Sequence, residues 1–270
     1  MDANAAIGVF DSGLGGLTVA RAIRAALPNE RLVYLGDTAR VPYGTRSAHT
    51  VIRYARTCAA HLEKRGIKAL VVACNTVSAV ALDMLRVELD LPVIGVIGPG
   101  ARAGVAATRK GKLGVIATRG TIASGAYVRA VASIRSRVEV FGQAAPLLVP
   151  LAEEGWITGE VPERAVERYL QPLADAGVDA VVLGCTHYPL LRPVIEDVGA
   201  RLFEGGLRLA DGAEATAAEL ATMLTERELC AKGPGGLEML VTDLPDRFAE
   251  VASRFLGEDV DALAVKQVDL

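Results

Sequence analysis

Aromatic residues are scarce in this 270-residue chain, at 4% with a single Trp. A hydrophobic share of 51% must therefore come mainly from Ala, Val, Leu and Ile. No apolar run reaches the roughly 18 residues that suggest a membrane span. The N-terminal MDANAAIGVFDSG lacks a basic segment followed by a long apolar one, so no secretory signal is expected. Positive charge is not in excess: the formal net charge is −3, which gives no electrostatic reason to expect nucleic acid or an acidic membrane as partner. A cytoplasmic protein with an ordinary charged surface is the expectation. The four cysteines, Cys58, Cys74, Cys185 and Cys230, form no CxxC pair and no zinc spacing. In a reducing compartment they are free thiols, and the question becomes which of them react.

Short apolar runs alternate with longer amphipathic stretches. AIGVFD, RLVYLGD, ALVVACN, PVIGVI, KLGVIAT, VEVFGQ and DAVVLGC are rich in Val, Ile and Leu and end in small or polar residues. Parallel strands covered on both faces have this look. Between them, residues 45 to 64 place Val51, Tyr54, Ala55, Cys58 and Leu62 at helical spacing. Residues 76 to 89, 120 to 134, 162 to 176, 211 to 228 and 245 to 256 read as helices too. The expected fold class is α/β with mainly parallel sheets. ALVVACNT and AVVLGCTH share a layout of strand, Cys and small polar residue, which is compatible with two similar domains and equally with a chance likeness of strand ends. Gly98-Pro99-Gly100 reads as the boundary turn, with a return near Leu207 to Asp211.

Ligands of open α/β sheets bind beyond the carboxyl ends of the strands, so the residues there are the candidates. Asp11-Ser12-Gly13-Leu14-Gly15-Gly16 is a glycine-rich turn whose backbone amides could hold an anion. It is neither a dinucleotide fingerprint, since Thr18 stands at the third glycine position, nor a P-loop. A tight turn with Asp11 capping the next helix fits equally well. The loop Asp37 to Gly44 offers Tyr43 and the Gly44 amide, or is a plain surface turn. Cys74-Asn75-Thr76 and Cys185-Thr186-His187 each put a thiol at a strand end just before an expected helix, where the helix dipole favours the thiolate. His187 could assist Cys185, and Asp11 could assist Cys74 across a cleft. Cys58 lies on an apolar helix stripe and reads as inert core. Cys230 reads as structural or incidental, and His49 and His61 as solvent-facing.

DSGLGGLTV, GDTARVPYG, ACNT, GCTHYPLL and DGAEATA, in this order and at these separations, resemble the glutamate racemases of the aspartate/glutamate racemase superfamily over nearly the whole chain. The resemblance implies two flavodoxin-like domains, residues 1–97 with 209–270 and residues 98–208, with the active site in the interdomain cleft. It implies interconversion of L- and D-glutamate for peptidoglycan precursors, with neither pyridoxal phosphate nor metal, by a homodimer. Cys74 would act on D-glutamate and Cys185 on L-glutamate, helped by Asp11 and His187 respectively. Glu153, in PLAEEG, matches a family glutamate near the second thiol. Substrate contacts would come from Asp11, Ser12, Tyr43, Gly44, Asn75, Thr76, Thr186 and His187, with Thr118 and Thr121 as additions. Gly98, Ala145 and Gly212 depart from residues common in relatives, and none of them is a proposed acid or base. The N-terminal extension of relatives that need a muropeptide activator is not found, so basal activity without one is expected. The alternatives are a related racemase acting on aspartate or hydantoins, an added protein-binding role such as gyrase inhibition, and a non-catalytic protein of the same fold.

Racemisation without an electron-sink cofactor needs a base on one face of the α-carbon and an acid on the other. Near-attack distances of roughly 3–3.5 Å on each side put the two sulfurs roughly 7 Å apart, too far for a disulfide.

Overall fold

Every strand of the apolar alternation pairs in parallel in the computed structural model, which describes residues 2–261 and 264–270. One sheet contains β1 (Ile7–Asp11), β2 (Arg31–Gly36), β3 (Ala69–Val72), β4 (Val93–Gly95), β9 (Gly236–Val241) and β10 (Val265–Gln267), in the order β10-β9-β2-β1-β3-β4. The other contains β5 (Lys112–Ala117), β6 (Glu139–Ala144), β7 (Ala180–Gly184) and β8 (Arg208–Asp211), in the order β6-β5-β7-β8. β1 and β7 are buried along their whole length, as expected of central strands with helices on both faces. Ile7 and Val9 of β1 face one core cluster and Phe10 faces another, which is the period-2 alternation of a strand between two layers.

Helices α1 (Leu17–Ala26), α10 (Gly212–Glu226) and α11 (Pro245–Leu256) pack on one face of the first sheet. α2 (Ala48–Glu63) and α3 (Asn75–Glu88) cover the other. Ser47 caps α2 by accepting the Thr50 amide, and the helix buries Val51, Ala55, Cys58, Ala59 and Leu62. Complete burial of a side chain such as Leu62 contributes about 1.5–3 kcal/mol. α4 (Ile97–Ala107) and α6 (Ala126–Ile134) lie against the second sheet on one side. α8 (Glu160–Asp175) and α9 (Arg192–Leu202) pack together on the other, with the short α7 (Leu148–Glu153) against α8.

Three expectations from the sequence differ from the structure. Gly98-Pro99-Gly100 is no turn but the start of α4. Pro99 is tolerated there because the first-turn N–H groups have no intrahelical acceptor. The expected return at Leu207 to Asp211 is β8, paired with β7, so the chain leaves the second sheet after Asp211 and not at 208/209. The stretch expected as one helix over 120–134 is split into α5 (Arg119–Ala123) and α6. Gly125, at φ +66°, makes the break in the left-handed region that glycine enters without steric cost. Among the described residues, no helix is long and apolar enough to cross a membrane.

Candidate active site

The carboxyl ends of β1 and β3 from one sheet and of β5 and β7 from the other converge on a cavity of about 400 Å³, within the usual size range of small-ligand sites. Ser12, Tyr43, Gly44, Cys74, Asn75, Thr76, Thr118, Glu153, Cys185, Thr186 and His187 all line it. Of the residues expected at the site, Asp11 and Thr121 stand behind this wall. The two sheets meet closely here. Thr18 Oγ1 in α1 donates to the Thr186 carbonyl at 3.0 Å. A β-carbon at Gly15 would run into the side chains of Thr186 and His187, so only glycine lets the first loop pass this close to the second thiol's segment.

Cys74 is the N-cap residue of α3, as read from sequence. Its thiol donates to Ser12 Oγ at 3.3 Å. Burial and the nearby Asp11 charge push the thiol up to about 12, so the helix dipole does not win at this position. Asp11 is 1% exposed. It does not cap α1, whose N-cap is Gly16. One carboxylate oxygen accepts the Gly13 amide at 2.9 Å, and the other has no hydrogen-bond partner among the described residues. Burial raises its pKa from the ordinary carboxylate range, against the lowering pull of His187 and of the loop amides.

Cys185 differs from Cys74 in its local structure. A 3-10 turn over Tyr188–Leu191 follows it and α9 begins only at Arg192, so the expected helix N-terminus is not directly behind this sulfur. The partner is a side chain instead. Cys185 Sγ lies 3.7 Å from His187 Nδ1, and His187 Nε2 lies 3.0 Å from Glu153 Oε1. Burial works against a charge on His187, but its bonds to Cys185 and Glu153 outweigh that, and its pKa rises to about 10. At neutral pH the ring is an imidazolium whose two N–H groups serve the sulfur and the carboxylate.

Tyr43 is buried with its hydroxyl hydrogen-bonded to Asp37. Asp37 also receives Arg40 Nε and Thr242 Oγ1, each at 2.9 Å. The loop is therefore anchored, and Tyr43 offers the cavity its ring and backbone, not a free hydroxyl. Thr76, Thr118 and Thr121 bond to one another through their hydroxyls at 3.0–3.4 Å. Cys58 is core and His49 is exposed, as expected; His61, expected to face solvent, is half-buried, and Cys230 is exposed.

Some neighbours of the site had no sequence signal. Arg254 of α11 donates to the Glu153 carbonyl at 2.6 Å, and Phe255 meets the His187 ring edge-on at 5.3 Å between centroids. Both are far from the motifs in sequence and arrive only through packing. Among the described residues no cluster of His, Cys, Asp and Glu is arranged to hold a metal.

Comparison with known proteins agrees with this arrangement. The family model for Asp/Glu/hydantoin racemases matches residues 16–220. A glutamate racemase of Geobacter metallireducens is 52% identical, the match covering 93% of each chain. The structure of glutamate racemase from Thermus thermophilus, in complex with β-chloro-D-alanine, superposes with a TM-score of 0.89 at 44% identity, covering 100% of this chain and 99% of that one. That from Francisella tularensis, in complex with D-glutamate, gives 0.90 at 34% identity, covering 99% and 98%. By sequence and by fold alike, the chain belongs to the Asp/Glu/hydantoin racemase family of isomerases.

Proposed function

We propose that this chain interconverts L- and D-glutamate by two-thiol proton transfer, with no cofactor and no metal taking part. The observation that carries the reading is the pair Cys74 and Cys185, which come from different sheets and line one cavity. Each has its own polar partner, Ser12 for one and the His187–Glu153 pair for the other. The substrate follows from the curated relatives that the chain matches along almost its full length, which are glutamate racemases.

With L-glutamate bound, Cys185 acts as the thiolate and takes the α-hydrogen as a proton. The electron pair of the broken C–H bond stays on the α-carbon and its carboxylate. Cys74, whose thiol is held protonated by burial beside Asp11, delivers its proton to the opposite face. The product is D-glutamate, with Cys185 as thiol and Cys74 as thiolate, and the reverse reaction starts from that state. His187 and Glu153 move protons at Cys185, and Asp11 does so at Cys74. Ser12, Asn75, Thr76 and Thr186, with Tyr43 and Gly44, hold the carboxylates and the ammonium. Preorganised donors in a water-poor cleft favour charge developing at the carbon.

The two sheets are the cores of two domains, residues 1–97 with the part that follows Asp211, and residues 98–211, because Arg208–Asp211 pairs with β7 in the second sheet. The family resemblance supports a cytoplasmic homodimer that supplies D-glutamate for peptidoglycan. The test is circular dichroism of L- and D-glutamate incubated with the chain alone, and of aspartate in parallel. Glutamate should lose its optical activity; rapid loss for aspartate with none for glutamate would reassign the substrate.

A further inference from the structure

Tyr127 is on α6, behind the cavity wall, and none of the site motifs includes it. Its hydroxyl donates to Asn75 Oδ1 at 2.8 Å, which joins a helix of the second sheet to the first residue of α3 in the other layer. Asn75 and Tyr127 are 6% and 4% exposed. Gly100 and Gly184 press close to the phenol from α4 and β7, leaving no room for a β-carbon at ordinary distance. The ring is thus held firmly in one place. Burial, with the Cys185 and Asp211 charges nearby, raises the phenol well above its ordinary ionisation range, so it remains a donor.

A carboxamide has an acceptor oxygen on one side and an NH2 donor on the other. Rotating the Asn75 amide by half a turn would leave the Tyr127 hydrogen without an acceptor, for no other partner of that hydroxyl exists among the described residues. A buried donor without an acceptor is costly. The same rotation would also turn an acceptor oxygen towards a ligand that carries two carboxylates. Asn75 is itself part of the cavity wall.

We propose that Tyr127 is a positioning residue that locks the Asn75 carboxamide with its NH2 group towards the cavity, where it donates to a substrate carboxylate. This rests on the racemase reading, and activity of the wild-type chain tests that reading separately.

The experiment is a double-mutant cycle on glutamate racemisation with Tyr127→Phe, Asn75→Ala and both. Tyr127→Phe keeps the ring and removes only the donor. It should raise KM about tenfold and leave kcat within about threefold, as for a contact made equally in ground and transition states. Asn75→Ala should raise KM at least as much, and adding Tyr127→Phe to it should change nothing further. An active wild type with an unchanged KM in Tyr127→Phe overturns the inference, as do independent, multiplying effects in the double variant. Nuclear magnetic resonance on the wild type supplies a readout that needs no folded variant of Tyr127. The side-chain amide protons of Asn75, assigned by their loss in Asn75→Ala, should shift on saturation with glutamate; unmoved protons overturn the inference as well.

Discussion

Replacing Glu153 by Gln removes one of the two partners that hold His187 protonated. The carboxylate oxygen is 3.0 Å from Nε2, and the Glu153 side chain is 40% exposed. Two unit charges about 4 Å apart at an effective dielectric of about 20 attract by about 4 kcal/mol. Solvent screening at a partly exposed carboxylate reduces this to about 1–1.5 kcal/mol. That corresponds to about one pH unit, so the imidazolium should lose its proton near pH 9 in Glu153→Gln, against about 10 in the wild type. Two assays read it. One is a titration of the His187 ring carbons by nuclear magnetic resonance. The other is the alkaline limb of kcat/KM against pH, which reports the free enzyme. A histidine at about 10 folded and about 6.5 unfolded binds more protons in the folded state at intermediate pH. Its stabilisation is complete below about pH 6.5 and is lost as pH rises towards 10. Glu153→Gln should end that loss about one pH unit earlier. A limb and a titration that stay at the wild-type position would refute the coupling of the two side chains.

Two other substitutions probe the frame of the site and the core. Gly15→Ala drives a methyl group into His187 and Thr186; overpacking of this kind costs about 1–3 kcal/mol, so both Tm and kcat/KM should fall, and wild-type values for both would contradict the close contact. Lys68→Met removes the partner of Glu30 in an ion pair at 2.6 Å whose side chains are 0% and 2% exposed. Stranding a buried carboxylate costs about 3–5 kcal/mol, to be read from urea unfolding, and a loss below about 1 kcal/mol would show the pair to be dispensable.

The chain's legibility varied with how many faces of an element are buried. Ile7–Asp11 and Ala180–Gly184 are buried throughout, so composition alone marks them as strands. RLAD of β8 and VKQ of β10 are short edge strands with partly exposed residues, and nothing in their composition separates them from loop. α4 is not legible because Gly98, Gly100 and Gly104 inside it mask the helical period, whereas α1 is signalled only by the glycine-rich turn before it. The thiols, His187 and the loop at Asp11 could be placed because strand ends in this fold class point to a common cleft. The electrostatic state of Cys74 could not, since a helix N-terminus suggests a thiolate while burial and Asp11 produce the reverse. Tyr127, Asp37, Arg254 and Phe255 act on the site through contacts that only the folded chain creates.

Isotope exchange tests the paired-thiol chemistry most directly. Each enantiomer of glutamate is incubated in heavy water with wild type, Cys74→Ser and Cys185→Ser, and the α-position of both enantiomers is followed from the first turnovers. Paired-thiol proton transfer should place solvent deuterium in the product enantiomer and leave ordinary hydrogen in the unreacted substrate. In each serine variant, racemisation should fall by about 10²–10⁴-fold, the contribution of a positioned acid or base. Product that retains the substrate's own α-hydrogen, or a serine variant as active as wild type, would contradict it.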